Sequence, residues 1–246
     1  MNPAVFIYGV VDPETRVPAD LLGVDDAPVR VVAVYGDPIA ALISDLTSDR
    51  PPRRKADLLA YSRVLDTVAV SGDVAPVRFG SLMDDEASVV EDFLAPNVEW
   101  FCTVLDGIRN RVQYNLRATY DEPTVLKEVV QADREIARLH QLTRDAPADT
   151  ALAERVRLGE LVAAALESKR EWDAEMIWSF VSPHVDAMEL KSGSGVDHVL
   201  RVALLVERRR EHELEEQLEG LAETIHERIH LSLVGPLAPY DFVQEE

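Results

Sequence analysis

The order of hydrophobic periods in the second half of the chain restricts the fold more tightly than its composition does. Arg111 to Asp121 alternates, with Val112, Tyr114, Leu116 and Ala118 on one side, which is the period of a half-buried strand. Pro123 opens a helical region to about Arg144, and Pro147 interrupts it. A long helix is predicted from about Thr150 to Phe180, with Leu158, Val162, Ala165, Trp172 and Met176 as its core stripe. Val185–Leu190 and Val199–Val206 read as strands joined by the Lys191–Gly195 hairpin loop. Glu207 to His230 reads as an amphipathic helix carrying Leu214, Leu218, Leu221, Ile225 and Ile229. Leu231–Val234 closes as a strand. The resulting order, β-α-β-β-α-β with extra helix inserted, is that of a split βαβ, ferredoxin-like domain.

The first half predicts a smaller α+β domain. Ala4–Val11 is a nearly unbroken apolar run, as in a buried strand. Val29–Tyr35 reads as a second strand. Asp37-Pro38 supplies an N-cap and a first-turn proline for a short helix to about Leu46. A further helix carries Leu58, Tyr61, Leu65 and Val68, and Val74–Gly80 reads as a brief strand whose Pro76 favours an edge. Asp84-Asp85-Glu86 suits a helix start, and Pro96-Asn97 separates it from a helix to Gly107. The fold class is therefore α+β in two domains, residues 1–108 and 109–234, with residues 235–246 as a C-terminal strap and tail. That strap, Gly235-Pro236-Leu237-Ala238-Pro239-Tyr240-Asp241-Phe242-Val243, is predicted to be extended and tied down through Tyr240 and Phe242.

Charge excludes several partner classes. With 45 acidic and 25 basic residues the net charge is -20, which disfavours nucleic acid and anionic membrane surfaces. No apolar run approaches the ~18 residues needed to cross a bilayer. Cys102 is the only cysteine, so no internal disulfide forms, as suits a reducing cytoplasm.

Few motifs carry chemistry. His226-Glu227-Arg228-Ile229-His230 fits a zinc-peptidase pattern, which requires both histidines on one helical face, but no third ligand follows at a suitable distance. The remaining histidines lack ligand spacing, and neither a phosphate loop nor a nucleophile elbow is present. No cofactor or metal is expected. Pro76-Val77-Arg78-Phe79-Gly80 is more distinctive: Arg78 can pair with a carboxylate, internal or in a partner, and Phe79 is a core or contact residue.

Four segments together resemble the gas vesicle protein F/L family (GvpF/GvpL), closer to the F type: Phe6–Val11, Pro76–Ser81, Val199–Val206 with its following Glu-rich helix, and Gly235–Val243. Departures are Leu237 and Ala238 in place of the usual Trp and Pro, and Ser81 in place of Thr. The resemblance implies a ferredoxin-like C-terminal domain. It further implies a non-enzymatic accessory or minor structural protein of the cytoplasm and gas vesicle. Such a protein would bind the major hydrophobic shell protein (GvpA), with other accessory proteins as further partners, and assist vesicle nucleation or assembly. Arg78, Phe79, Tyr240 and Phe242 are the expected contact residues. A general cytoplasmic adaptor and a zinc peptidase are the alternatives.

Overall fold

A strand with no charged side chain and a nearly unbroken apolar run favours cover on both faces, and Val5–Val11 (β1) has it. The computed structural model describes residues 4–33, 36–47, 51–144, 146–147, 150–193 and 195–243. Its first sheet has the order β2-β3-β1-β4, from Arg30–Val32 (β2), Ala40–Asp45 (β3) and Val74–Pro76 (β4); the short Leu82–Met83 (β5) also pairs with β1. All these pairings are antiparallel. A bulge between Ile7 and Gly9 shifts the register of β1 against β3. The inserted residue reverses which side chains share a face. Phe6, Tyr8 and Val11 thus join one core, with Tyr61, Val64, Leu65 and Val68 of the helix Lys55–Ala69 (α1). Val5, Ile7 and Val10 join another, with Phe101, Leu105 and Ile108. Those three lie on Val98–Ile108, which follows the short helix Glu86–Ser88 (α2) and is here α3.

Two sequence readings are corrected in this region. The helix expected after Asp37-Pro38 is strand β3. Its residues Ala40–Ile43 are wholly buried between β2 and β1, and a short apolar run takes whichever structure its neighbours offer. Leu58, expected in the core of α1, is exposed, and Val64 is buried in the stripe. The end of the expected second strand, Val34-Tyr35, lies outside the described residues. Pro76 does occupy an edge strand, as its missing N–H requires.

The second sheet has the order β7-β8-β6-β9. Its strands are Arg111–Tyr120 (β6), Ala187–Leu190 (β7), His198–Glu207 (β8) and Ile229–Leu237 (β9). Glu122–Ala132 (α4), Arg134–Arg144 (α5) and Leu152–Val181 (α6) lie between β6 and β7 in the chain; Glu211–Ile225 (α7) lies between β8 and β9. Ser194 of the hairpin loop is outside the described residues. The chain forms two compact units: Met1–Tyr114 with Leu205–Arg208 and Val234–Glu246, and Asn115–Leu204 with Arg209–Leu233. No helix among the described residues is long and apolar enough to cross a membrane.

Within the second unit the stripe expected on the long helix is partly misplaced. Trp172 is 63% exposed, and the buried residues of α6 are Leu166, Asp173, Ile177 and Val181. Hydrophobic periodicity cannot find Asp173, because its place in the core depends on partners distant in sequence. Arg228 grips its carboxylate with two N–H···O bonds of 3.1 and 2.8 Å, and the Tyr120 hydroxyl donates a third of 2.7 Å. Burial, reinforced by that carboxylate, pushes the Tyr120 hydroxyl's pKa well up. Arg228 also explains why α7 stops at Ile225 rather than running to His230. The Arg228 carbonyl accepts from the Asp121 N–H while its guanidinium reaches Asp173, so the chain leaves the helix and Ile229 enters β9.

Removing one partner of such a buried pair strands the other. Asp173→Ala is expected to cost about 3–5 kcal/mol in urea unfolding, and the double change Asp173→Leu with Arg228→Met to restore much of it. A loss below about 1 kcal/mol for Asp173→Ala would overturn this assignment.

Candidate interaction site

The bulge in β1 also receives the Pro76–Ser81 segment. Tyr8 C=O accepts from Val77 N–H, and Ser81 C=O accepts from Ile7 N–H, so both ends of the segment are fastened to β1. Between them the chain turns: Ser81 N–H and Oγ both donate to the Arg78 carbonyl, and Gly80 takes φ +93°, a conformation that favours glycine. This turn sends Phe79 inward and leaves Arg78 exposed. Arg78 makes no ion pair among the described residues, so the internal carboxylate partner that the acidic composition suggested is not found there.

Phe79 joins an aromatic cluster. Its ring centroid lies 5.9 Å from Phe6 and 5.3 Å from Tyr61, and Tyr61 lies 6.2 Å from Tyr240. The Tyr61 hydroxyl donates to the Val77 carbonyl. Burial raises the pKa of the Tyr61 and Tyr240 hydroxyls, with Asp66 adding to both, so both stay neutral.

The C-terminal segment begins inside β9 rather than as a free strap. Pro236 is tolerated there because β9 is an edge strand. Gly235 is required by space: a Cβ would lie 2.5 Å from the Tyr114 ring. Beyond Leu237, Ala238 is wholly buried and its N–H donates to Asp66 Oδ1 at 3.0 Å, with the Tyr240 hydroxyl 3.5 Å from the same oxygen. Gln113 then holds Asp241 twice, donating to its carboxylate at 2.8 Å and accepting from its N–H at 3.0 Å. The chain turns here, Phe242 N–H donating to the Pro239 carbonyl, so the segment is extended as far as Leu237 and the expected extension beyond it is corrected to a turn.

These elements leave a groove of about 370 Å³ lined by Tyr61, Pro76, Val77, Arg78, Phe79, Tyr240 and Val243. Three of the four residues singled out in the sequence thus converge. Phe242 is half-buried and lines neither this groove nor the aromatic cluster. The groove offers apolar walls with a guanidinium at the rim, chemistry suited to holding an apolar side chain beside a carboxylate. A larger cavity of about 700 Å³ in the same unit is lined by Cys102 and mixed charges. Asp106 there pairs with Arg109, and Asp73 accepts from Asn110 N–H.

The family model described as "Gas vesicle synthesis protein GvpL/GvpF" matches residues 4–244. The chain belongs to the gas vesicle GvpL/GvpF family. It is 30% identical to gas vesicle protein F of Streptomyces sp. (strain CB03234) over 98% of this chain and 100% of that protein. To gas vesicle protein L2 of Halobacterium salinarum it is 28% identical, over 98% of this chain and 91% of that one. The crystal structure of GvpF from Anabaena sp. PCC7120 superimposes with a TM-score of 0.83 at 20% identity, covering 99% of both chains. That of GvpF from Microcystis aeruginosa gives 0.77 at 18% identity, covering 98% of this chain and 99% of that one. In this member of the GvpL/GvpF family, the helical face that the zinc-peptidase pattern requires does not form. α7 ends at Ile225, His226 caps it with Nδ1 2.9 Å from the Glu223 carbonyl, and His230 lies in β9. Among the described residues no three metal-ligating side chains converge.

Asp66, Gln113 and Asp241 were not found by sequence reasoning. Each is a single polar residue whose role appears only when partners up to 174 positions away come together. Burial raises the Asp66 pKa against the opposing effect of the Ala238 N–H and Tyr240 hydroxyl hydrogen bonds. A raised carboxyl pKa means the folded state binds the proton more tightly than the unfolded chain. The associated stability is present below the unfolded pKa and is lost as pH rises through the folded one. Asp66→Asn removes this titration, so its stability relative to the natural chain should rise between pH ~4 and neutrality. A pH-independent difference in urea unfolding would contradict it. Gly235→Ala should cost about 1–3 kcal/mol through collision with Tyr114, measured the same way.

Proposed function

We propose that this protein is a non-enzymatic accessory or minor structural protein of gas vesicles. It works in the cytoplasm and at the vesicle, binding the hydrophobic shell protein GvpA and assisting nucleation or assembly while keeping GvpA from aggregating. The observation that carries this reading is the family match across residues 4–244. The groove beside Arg78 supports it, since apolar walls with a charge at the rim suit a sticky protein segment. Arg78, Phe79 and Tyr240 form the contact surface in this reading, with Phe242 beside them. Two architectural readings accompany it. Residues 109–234 form a ferredoxin-like domain with extra helices, supported by the strand order β7-β8-β6-β9, and residues 1–108 form the N-terminal α+β domain.

Co-purification with GvpA from vesicle-forming cells tests the function. The expected result is recovery of GvpA with the natural chain and about tenfold weaker capture by Arg78→Glu, whose fold is unchanged because Arg78 is exposed. No association, together with normal vesicles in a deletion strain, would overturn the proposal.

A further inference from the structure

β9 stands at the end of its sheet, so among the described residues one side of Ile229–Leu233 has no strand partner. Exposed edges are ordinarily guarded by Lys, Pro or a covering element. This stretch reads Ile-His-Leu-Ser-Leu and contains no Lys or Pro, the Pro236 of β9 lying beyond it. Its inward residues Leu231 and Leu233 are only half-buried. With Leu116, Leu218 and Ala222 they floor a groove of about 270 Å³ whose rim carries Glu215 and Glu219. Those glutamates are one helical turn apart on α7 and exposed.

We propose that this edge is a strand-addition site for an extended segment of a protein partner carrying Leu-like residues beside Lys or Arg. Backbone pairing along β9 supplies the ladder, and every second side chain of the added strand faces the groove. A leucine there covers Leu231 and Leu233. A lysine or arginine two residues away lays its alkyl stem over the same floor and sets its charge against Glu215 or Glu219. A second copy of this chain is the poorer occupant. Pairing two β9 edges would bring the glutamate rims of both α7 helices together, in a chain of net charge -20. The site uses residues distinct from the Arg78 groove and stands whether or not GvpA binds there.

The test uses the heptapeptide Thr-Lys-Thr-Leu-Thr-Lys-Thr, fluorescently labelled, titrated with the full chain and read by anisotropy. Its controls are a backbone N-methylated version, which loses ladder donors but keeps its charge, and the protein variants E215Q/E219Q and E171Q/E175Q. Glu171 and Glu175 are exposed on α6 and do not line this groove, so they report non-specific attraction to an acidic protein. The expected result is saturable binding, lost with the N-methylated peptide. E215Q/E219Q should weaken it about tenfold and E171Q/E175Q less than about twofold, with circular dichroism showing each variant folded at the assay temperature. No binding, equal binding of the N-methylated peptide, or equal weakening by both glutamate pairs would each overturn the proposal.

Discussion

Tyr61 is the residue on which the rest of the first unit depends. Its ring touches Phe6 and Tyr8 of β1, Phe79 of the turn and Tyr240 of the C-terminal segment, and its hydroxyl donates to Val77. One buried side chain on α1 therefore joins the central strand, the Pro76–Ser81 segment and the end of the chain. Aromatic contacts add to the large apolar area such rings bury, and the donated hydrogen bond lets the polar end remain in the core.

Stability and recognition use the same residues around this point. Phe79 and Tyr240 are held by packing, and what they leave uncovered is the wall of the groove. Arg78 is outward because Gly80 turns the chain immediately after Phe79. Changing Tyr240 therefore disturbs the fold and the surface together, whereas changing Arg78 touches the surface alone. Glycine at 235 and the turn beyond Pro239 likewise have structural reasons, namely the Tyr114 ring and the hydrogen bonds to Gln113 and Asp66.

The second unit resolves polarity in two ways. Asp173 is buried and satisfied by Arg228 and Tyr120. At the outer edge of β9 the groove is left with an apolar floor and an acidic rim. The first arrangement fixes where α7 ends, because Arg228 must turn toward Asp173. The second follows from β9 being the last strand of its sheet.

Local sequence determined the strands β1 and β8 as apolar runs bounded by turn signals, β6 by its alternation, and the existence of α1, α6 and α7 by their length and helical spacing. The missing N–H of Pro76 pointed to an edge, and their Pro, Arg and aromatic residues marked the Pro76–Ser81 and Gly235–Val243 segments as distinctive. Helix or strand at Ala40–Asp45 was decided by tertiary structure, since a run buried on both faces has no period to read. So were the placing of Trp172 outside and Asp173 inside, the meeting of Arg78, Phe79 and Tyr240, and the exclusion of Phe242 from their groove. Most of these rest on partners far away along the chain, and local sequence carries no signal for contacts such as Asp173–Arg228 and Asp66–Ala238, made across 55 and 172 residues.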